Sequence, residues 1–161
     1  MGSADKSSMV ETILNIISEM AFFDSFDPQE LDIISRHLSY RDVDKDEVVF
    51  TEGEKGNYMC FVAEGCLNVV KDVDGKKNVV ISMINRGKSL GEMAMVDLSP
   101  RSATVVGAKK SVLVIMGRQA FDLILERHPK IGVKLLSGVA RLLSLYLRQA
   151  SGRLADKLAT R

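Results

Sequence analysis

The chain has 161 residues, 46% of them hydrophobic and 27% charged, which is the composition of one folded domain with a full core rather than of a disordered chain. The formal net charge of +1 gives no electrostatic case for nucleic acid or an anionic membrane as the main partner. No apolar run reaches the roughly 20 residues that a membrane-spanning helix needs.

Residues 1–8, "MGSADKSS", lack the hydrophobic stretch of a signal peptide and read as a loose tail or a cloning scar; Gly2 after Met1 raises myristoylation as a lesser option. The expected compartment is the cytoplasm. Residues 9–161 form one domain, opening with N-terminal helices over 9–38. In "MVETILNIISEM", Val10, Ile13, Leu14, Ile17 and Met20 recur at helical spacing. The next helix begins at Asp27, an N-cap followed by Pro28 and by Glu30 at N3, and places Leu31, Ile34 and Leu38 on one side.

From Ser39 the period changes. "DEVVFTEG", "NYMCFVAEG", "CLNVVKD", "NVVISMI", "SATVVGA" and "SVLVIMG" are short runs rich in Val and Ile, and Asp74-Gly75 between two of them predicts a hairpin. At least six strands so closely spaced argue for a sandwich or jelly-roll barrel over 39–117. Residues 118–158 return to helix, with one break at Pro129. In the long last helix Leu135, Val139, Leu142 and Tyr146 lie on one seam. Leu136, Ala140, Leu143, Leu147, Ala150 and Leu154 lie on a neighbouring one. That apolar face is wider than packing on the barrel requires, and the excess predicts a partner helix or a ligand. The fold class is therefore α+β, mainly β: a jelly-roll barrel of short antiparallel strands with N-terminal helices and a long C-terminal helix.

The residues give little support to catalysis. His37 and His128 both fall at helix C-terminal ends, where the helix dipole favours them, and none of the predicted strands carries the inward histidines of a metal-dependent barrel. Nucleophile-elbow and Walker motifs are absent, so no catalytic residue and no metal site is expected. Cys60 and Cys66 sit in apolar surroundings and read as buried reduced thiols.

The informative stretch is "LGEMAMVDLSPRSATV", residues 90–105, in which Glu92 follows Gly91 and Arg101 follows Pro100. "EMAMV" suits one helical turn whose backbone N–H groups are free to meet an anion. A guanidinium returning to that turn can hold a phosphate with two parallel bonds, and a carboxylate beside it can accept from sugar hydroxyls. Local spacing reads equally well as a structural salt bridge across a loop.

The stretch closely resembles the phosphate-binding cassette of cyclic nucleotide-binding domains. Leu90, Gly91, Glu92, Met93, Ala94 and Met95, then Arg101, Ser102 and Ala103, match its pattern. A second signature of that family, spaced on Gly53, Gly56 and Gly65, matches "VVFTEGEKGNYMCFVAEG"; Phe50, Cys60 and Gly107 depart mildly from the usual residues. The element order agrees over roughly residues 21–151.

The resemblance implies that Glu92 binds the ribose 2′-hydroxyl and that Arg101 pairs with the cyclic phosphate. It implies that Gly91 lets the backbone approach the sugar, and that amides near Ala94 complete the cradle with Ser102 and Ala103. It implies a C-terminal helix that closes over the base, with Tyr146 and Arg148 as candidates for the lid; Tyr146 also fits the apolar seam. Ser102 bears on the base without deciding it: a hydroxyl there accompanies cGMP in eukaryotic members and cAMP in the bacterial catabolite activator group. The ligand expected is cAMP, then cGMP, then a cyclic dinucleotide. The partners expected are the nucleotide and a second copy through the C-terminal helix, with no membrane contact. The residues after Ser151 are too few for a helix-turn-helix, so direct DNA binding by this chain is not expected. The competing reading is a ligand-free dimerisation or docking scaffold of the same fold.

Overall fold

A computed structural model describes residues 3–160, with side-chain placements from residue 5. The elements run α1 (Ser3–Ser18), α2 (Pro28–Ser35), eight strands, α3 (Arg118–Arg127) and α4 (Pro129–Ala159). The strands are β1 (Ser39–Val43), β2 (Val48–Phe50), β3 (Tyr58–Glu64), β4 (Cys66–Val73), β5 (Lys76–Asn85), β6 (Ser89–Leu90), β7 (Thr104–Gly107) and β8 (Ser111–Gly117). Two 3-10 turns, Ala21–Phe23 and Glu92–Met95, interrupt the connections.

α1 starts at Ser3, earlier than the apolar period predicts, and so takes in residues 3–8 of the expected tail. Residues 5–8 are exposed. A turn that buries nothing leaves no hydrophobic signature, so periodicity cannot find it. The readings placed on Met1 and Gly2 lie outside the described residues. α2 carries the expected capping box: the Asp27 carboxylate accepts from Glu30 N at 2.9 Å, and Glu30 accepts from Asp27 N at 3.0 Å.

The eight strands form two four-stranded antiparallel sheets, in the orders β1-β8-β3-β6 and β2-β7-β4-β5. They make two facing sheets of a jelly roll rather than one closed ladder. Asp74 and Gly75 both have positive φ (49° and 78°), which sets the two-residue turn that pairs Val73 with Lys76. β1 and β6 had no sequence signature: "SYRDV" is mostly polar and exposed, and β6 has only two residues.

β3 explains the layering. Met59, Phe61 and Ala63 belong to a core shared with the helices, whereas Cys60 and Val62 belong to the core between the sheets. β8 divides in the same way, Val114 and Met116 to the helices and Leu113 to the sheet interior. Alternate residues of a strand face opposite sides, so both strands must be apolar throughout. The helical core holds Ile13 and Ile17 of α1, Phe23, Ile34 of α2, and Leu135 and Val139 of α4. Ala94 and Met95 of the second 3-10 turn are also in it, so the cassette is packed into the layer that carries α4. Among the described residues no helix is long and apolar enough to cross a membrane.

Candidate functional site

The cassette begins where β6 ends. Gly91 has φ 80° and ψ 16°, a left-handed conformation that turns the chain out of the strand and into the 3-10 turn Glu92–Met95. A Cβ at Gly91 would stand 2.5 Å from Arg101 Nη1 and 3.0 Å from the Tyr58 carbonyl oxygen. A Cβ at Gly56 would stand 3.2 Å from Arg101 Nε and 2.9 Å from the Ala94 Cβ. The two glycines leave the room that the guanidinium occupies.

Arg101 is 6% exposed. Its Nη2 donates to the Tyr58 carbonyl oxygen at 2.8 Å, and its Cζ lies 4.0 Å from the centroid of the Phe50 ring and 4.6 Å from that of Tyr58. Its Nη1 is buried and has no hydrogen-bond partner. The main chain holds this segment in place: Arg101 N donates to Glu54 O at 2.7 Å, and Gly53 N donates to Arg101 O at 2.8 Å. Burial lowers the Arg101 pKa from its usual value, opposed by the electrostatic influence of neighbours including Glu54. A buried donor that finds nothing in the protein costs about 1–3 kcal/mol, and one at this position is suited to an anion.

Glu92 is 4% exposed. Ser89 Oγ donates to Glu92 Oε1 at 2.5 Å, and the Tyr146 hydroxyl lies 3.4 Å from the same oxygen and 3.3 Å from Ser89 O. Burial raises the Glu92 pKa, and the hydrogen bonds from Ser89 and Tyr146 and the charge of Arg101 hold it back. Burial also raises the Tyr146 pKa, reinforced by the Glu92 charge. Glu92 and Arg101 do not pair with each other among the described ion pairs, so the reading of a structural salt bridge across the loop fails. Each is held separately, by Ser89 on one side and by Phe50, Gly56 and Tyr58 on the other.

Between them lies a cleft of about 1030 Å³. Leu90, Gly91, Glu92, Met93, Ala94, Arg101, Ser102, Ala103 and Tyr146 all line it, and Leu142 and Leu143 of α4 supply apolar wall. Arg148 does not line it and is exposed. A step of two residues turns about 200° around a helix, so Arg148 points away when Tyr146 points in; Arg141, Gln149 and Arg153 reach the cleft instead. The Ala94 amide donates to Gly91 O at 3.2 Å within the turn. His37 and His128 lie away from the cleft, and Cys60 beneath it is a free thiol that burial pushes up to about 12.

Three contributors escaped the sequence reading. Ser89 has no local pattern to mark it. Tyr58 stands inside the glycine signature with nothing there to show that its ring reaches Arg101. Phe50 did carry a signal, since it departs from the usual family residue.

Comparison with known proteins agrees with the fold. The sequence profile described as the cyclic nucleotide-binding domain matches residues 40–128. The chain is 30% identical to a cyclic nucleotide-binding domain from Methylobacillus flagellatus of known crystal structure, with a TM-score of 0.80 over 98% of this chain and 87% of that one. It is 32% identical to the cAMP-dependent protein kinase regulatory subunit of Blastocladiella emersonii, over 66% of this chain and 26% of that protein. It is 25% identical to a CRP-like cAMP-activated global transcriptional regulator of Mycobacterium tuberculosis, over 90% of this chain and 63% of that protein. The chain thus spans about a quarter of the kinase subunit's length and less than two thirds of the regulator's. With the profile covering more than half of its residues, the chain belongs to the cyclic nucleotide-binding domain family.

Proposed function

We propose that the cleft binds a cyclic mononucleotide, cAMP before cGMP, and that the chain is a regulatory sensor acting by binding rather than by catalysis. The observation that carries the reading is the buried, unpartnered Nη1 of Arg101 in a cleft that also presents the buried carboxylate of Glu92. The cyclic phosphate is assigned to Arg101 and the ribose 2′-hydroxyl to Glu92, with Gly91 giving the sugar close access and Ser102 and Ala103 flanking the phosphate. The preference for cAMP follows the similar kinase subunit and regulator, both of which are named for cAMP.

Transmission runs through α4. Tyr146 touches the carboxylate assigned to the ribose, and Ala94 and Met95 share a core with Leu135 and Val139. Nucleotide that rearranges the turn changes the packing of α4, and ligand affinity that differs between two positions of this helix shifts their populations. The outer half of α4 carries Leu154 (60% exposed) and Leu158 (63%), with Leu147 (69%) at the rim of the cleft. A second copy would cover that stripe as a helix pair, making a ligand-sensitive homodimer. Calorimetric titration with cAMP, cGMP and a cyclic dinucleotide tests the reading: the expected order of affinity is cAMP, cGMP, dinucleotide. No heat of binding with any of the three favours the ligand-free scaffold.

A further inference from the structure

Arg101 is a buried cation with no acidic partner in ion-pair range among the described residues. Two aromatic rings stand where a counter-ion would be expected. Phe50 closes β2, Tyr58 opens β3, and their rings meet at 72° with centroids 6.2 Å apart, forming a corner. The guanidinium sits in that corner, against both rings. The Tyr58 hydroxyl donates to Val49 O at 3.0 Å, which ties its ring to β2 beside Phe50.

We infer that Phe50 and Tyr58 are positioning residues for ligand binding, an aromatic corner that holds the Arg101 guanidinium over two ring faces and leaves Nη1 for the phosphate. The inference rests on the cyclic-nucleotide reading of the cleft. The negative face of an aromatic ring attracts the guanidinium charge, while the guanidinium's N–H bonds radiate in its own plane. The rings meet at 72°, so the guanidinium can lie flat on at most one of them, and neither ring supplies a counter-charge to its donors. One edge is fixed by the Tyr58 carbonyl oxygen, and Nη1 remains unpartnered. A carboxylate in the same place would occupy the donors, cancel the charge, and then repel an arriving phosphate. The rings stabilise the cation without supplying a competing anion. The family pattern marks Phe50 as an unusual residue, and its position against Arg101 gives that departure a physical role.

The test replaces Phe50 in the full chain by phenylalanines bearing one, two and three ring fluorines. Shape and burial are nearly kept while the ring quadrupole weakens at each step. Cyclic-nucleotide affinity is expected to fall progressively, by about tenfold across the series. Tyr58→Phe, which keeps the ring and loses only the bond to Val49, is expected to stay within a few-fold of the parent, whereas Tyr58→Leu is expected to lose about tenfold. Affinity that is flat across the fluorinated series, in a parent that binds the nucleotide, overturns the inference and leaves the site reading intact. Equal losses for Tyr58→Phe and Tyr58→Leu also overturn it, because the hydroxyl rather than the ring face would then be what matters. A parent that binds no cyclic nucleotide removes the reading beneath both.

Discussion

Replacing Arg101 by methionine separates the two roles that its burial implies. Methionine keeps an unbranched apolar stem between Phe50 and Tyr58 and removes the charge. The ligand-free protein loses the bond to Tyr58 O and the two ring contacts, together a few kcal/mol, and is relieved of a desolvated donor that costs about 1–3 kcal/mol. These terms oppose each other, so the unliganded melting temperature should move by only a few degrees, at about 2–4 °C per kcal/mol for a chain of this size. Binding has no such offset. A hydrogen bond to a charged group contributes roughly 1.5–3 kcal/mol, so losing the phosphate contact should weaken binding about 10- to 150-fold. At a nucleotide concentration about 100 times the parent Kd, linkage stabilises the parent by about 2.7 kcal/mol, a rise of about 5–11 °C. After a hundredfold loss the same concentration gives about 0.4 kcal/mol, a rise of about 1–2 °C. Thermal scans of both proteins, with and without cAMP, read all four numbers. Equal ligand-induced shifts in parent and Arg101→Met would refute the assignment of the phosphate to Arg101.

Glu92→Gln should weaken cAMP binding about tenfold or more and abolish discrimination against 2′-deoxy-cAMP, measured by calorimetry; discrimination that survives would remove the ribose from Glu92. The raised pKa of Glu92 fixes two opposite pH trends. A buried carboxyl that prefers its proton stabilises the ligand-free fold below the ordinary glutamate range and loses that contribution as pH rises through its raised value, whereas affinity, which needs the carboxylate, falls as pH drops through the same value. Melts and titrations carried upward from the ordinary glutamate range should show both trends in the parent and lose them in Glu92→Gln. Tyr146→Phe removes only the long contacts at 3.3, 3.4 and 3.5 Å, so affinity should change by less than about fivefold, followed through tyrosine emission in a protein that has three tyrosines and no tryptophan. If α4 pairs with a second copy, Leu154→Glu with Leu158→Glu, neither of which lines the cleft, should halve the mass seen by light scattering and leave nucleotide affinity largely unchanged; a parent that is monomeric at every concentration contradicts the pairing.

Most of the architecture was legible because its signals are local. The box at Asp27 and Glu30, the turn at Asp74-Gly75 and the break at Pro129 each depend on a few adjacent residues, and the structure has all three. The elements that escaped are those whose definition is not local. β1 is held by pairing with β8 and β6 by pairing with β3, and neither contains an apolar alternation of its own. The cassette was legible as a motif, yet the motif does not describe how its charges are held. Ser89 on Glu92, and Phe50 and Tyr58 on Arg101, come from other elements and meet only in three dimensions. On α4 the seam containing Tyr146 was visible in the spacing, but the helix phase that brings Gln149 and Arg153 to the cleft and turns Arg148 out depends on how α4 packs against Phe22 and the cassette.

The central claim is that one small ligand spans the two separately held charges. A crystal structure of the chain with cAMP tests it most directly. The account predicts a cyclic phosphate oxygen within hydrogen-bond distance of Arg101 Nη1 and the ribose 2′-hydroxyl on the Glu92 carboxylate, with the guanidinium still held against Phe50 and Tyr58. A nucleotide bound with its phosphate away from Arg101, or with Nη1 still unpartnered, would contradict it.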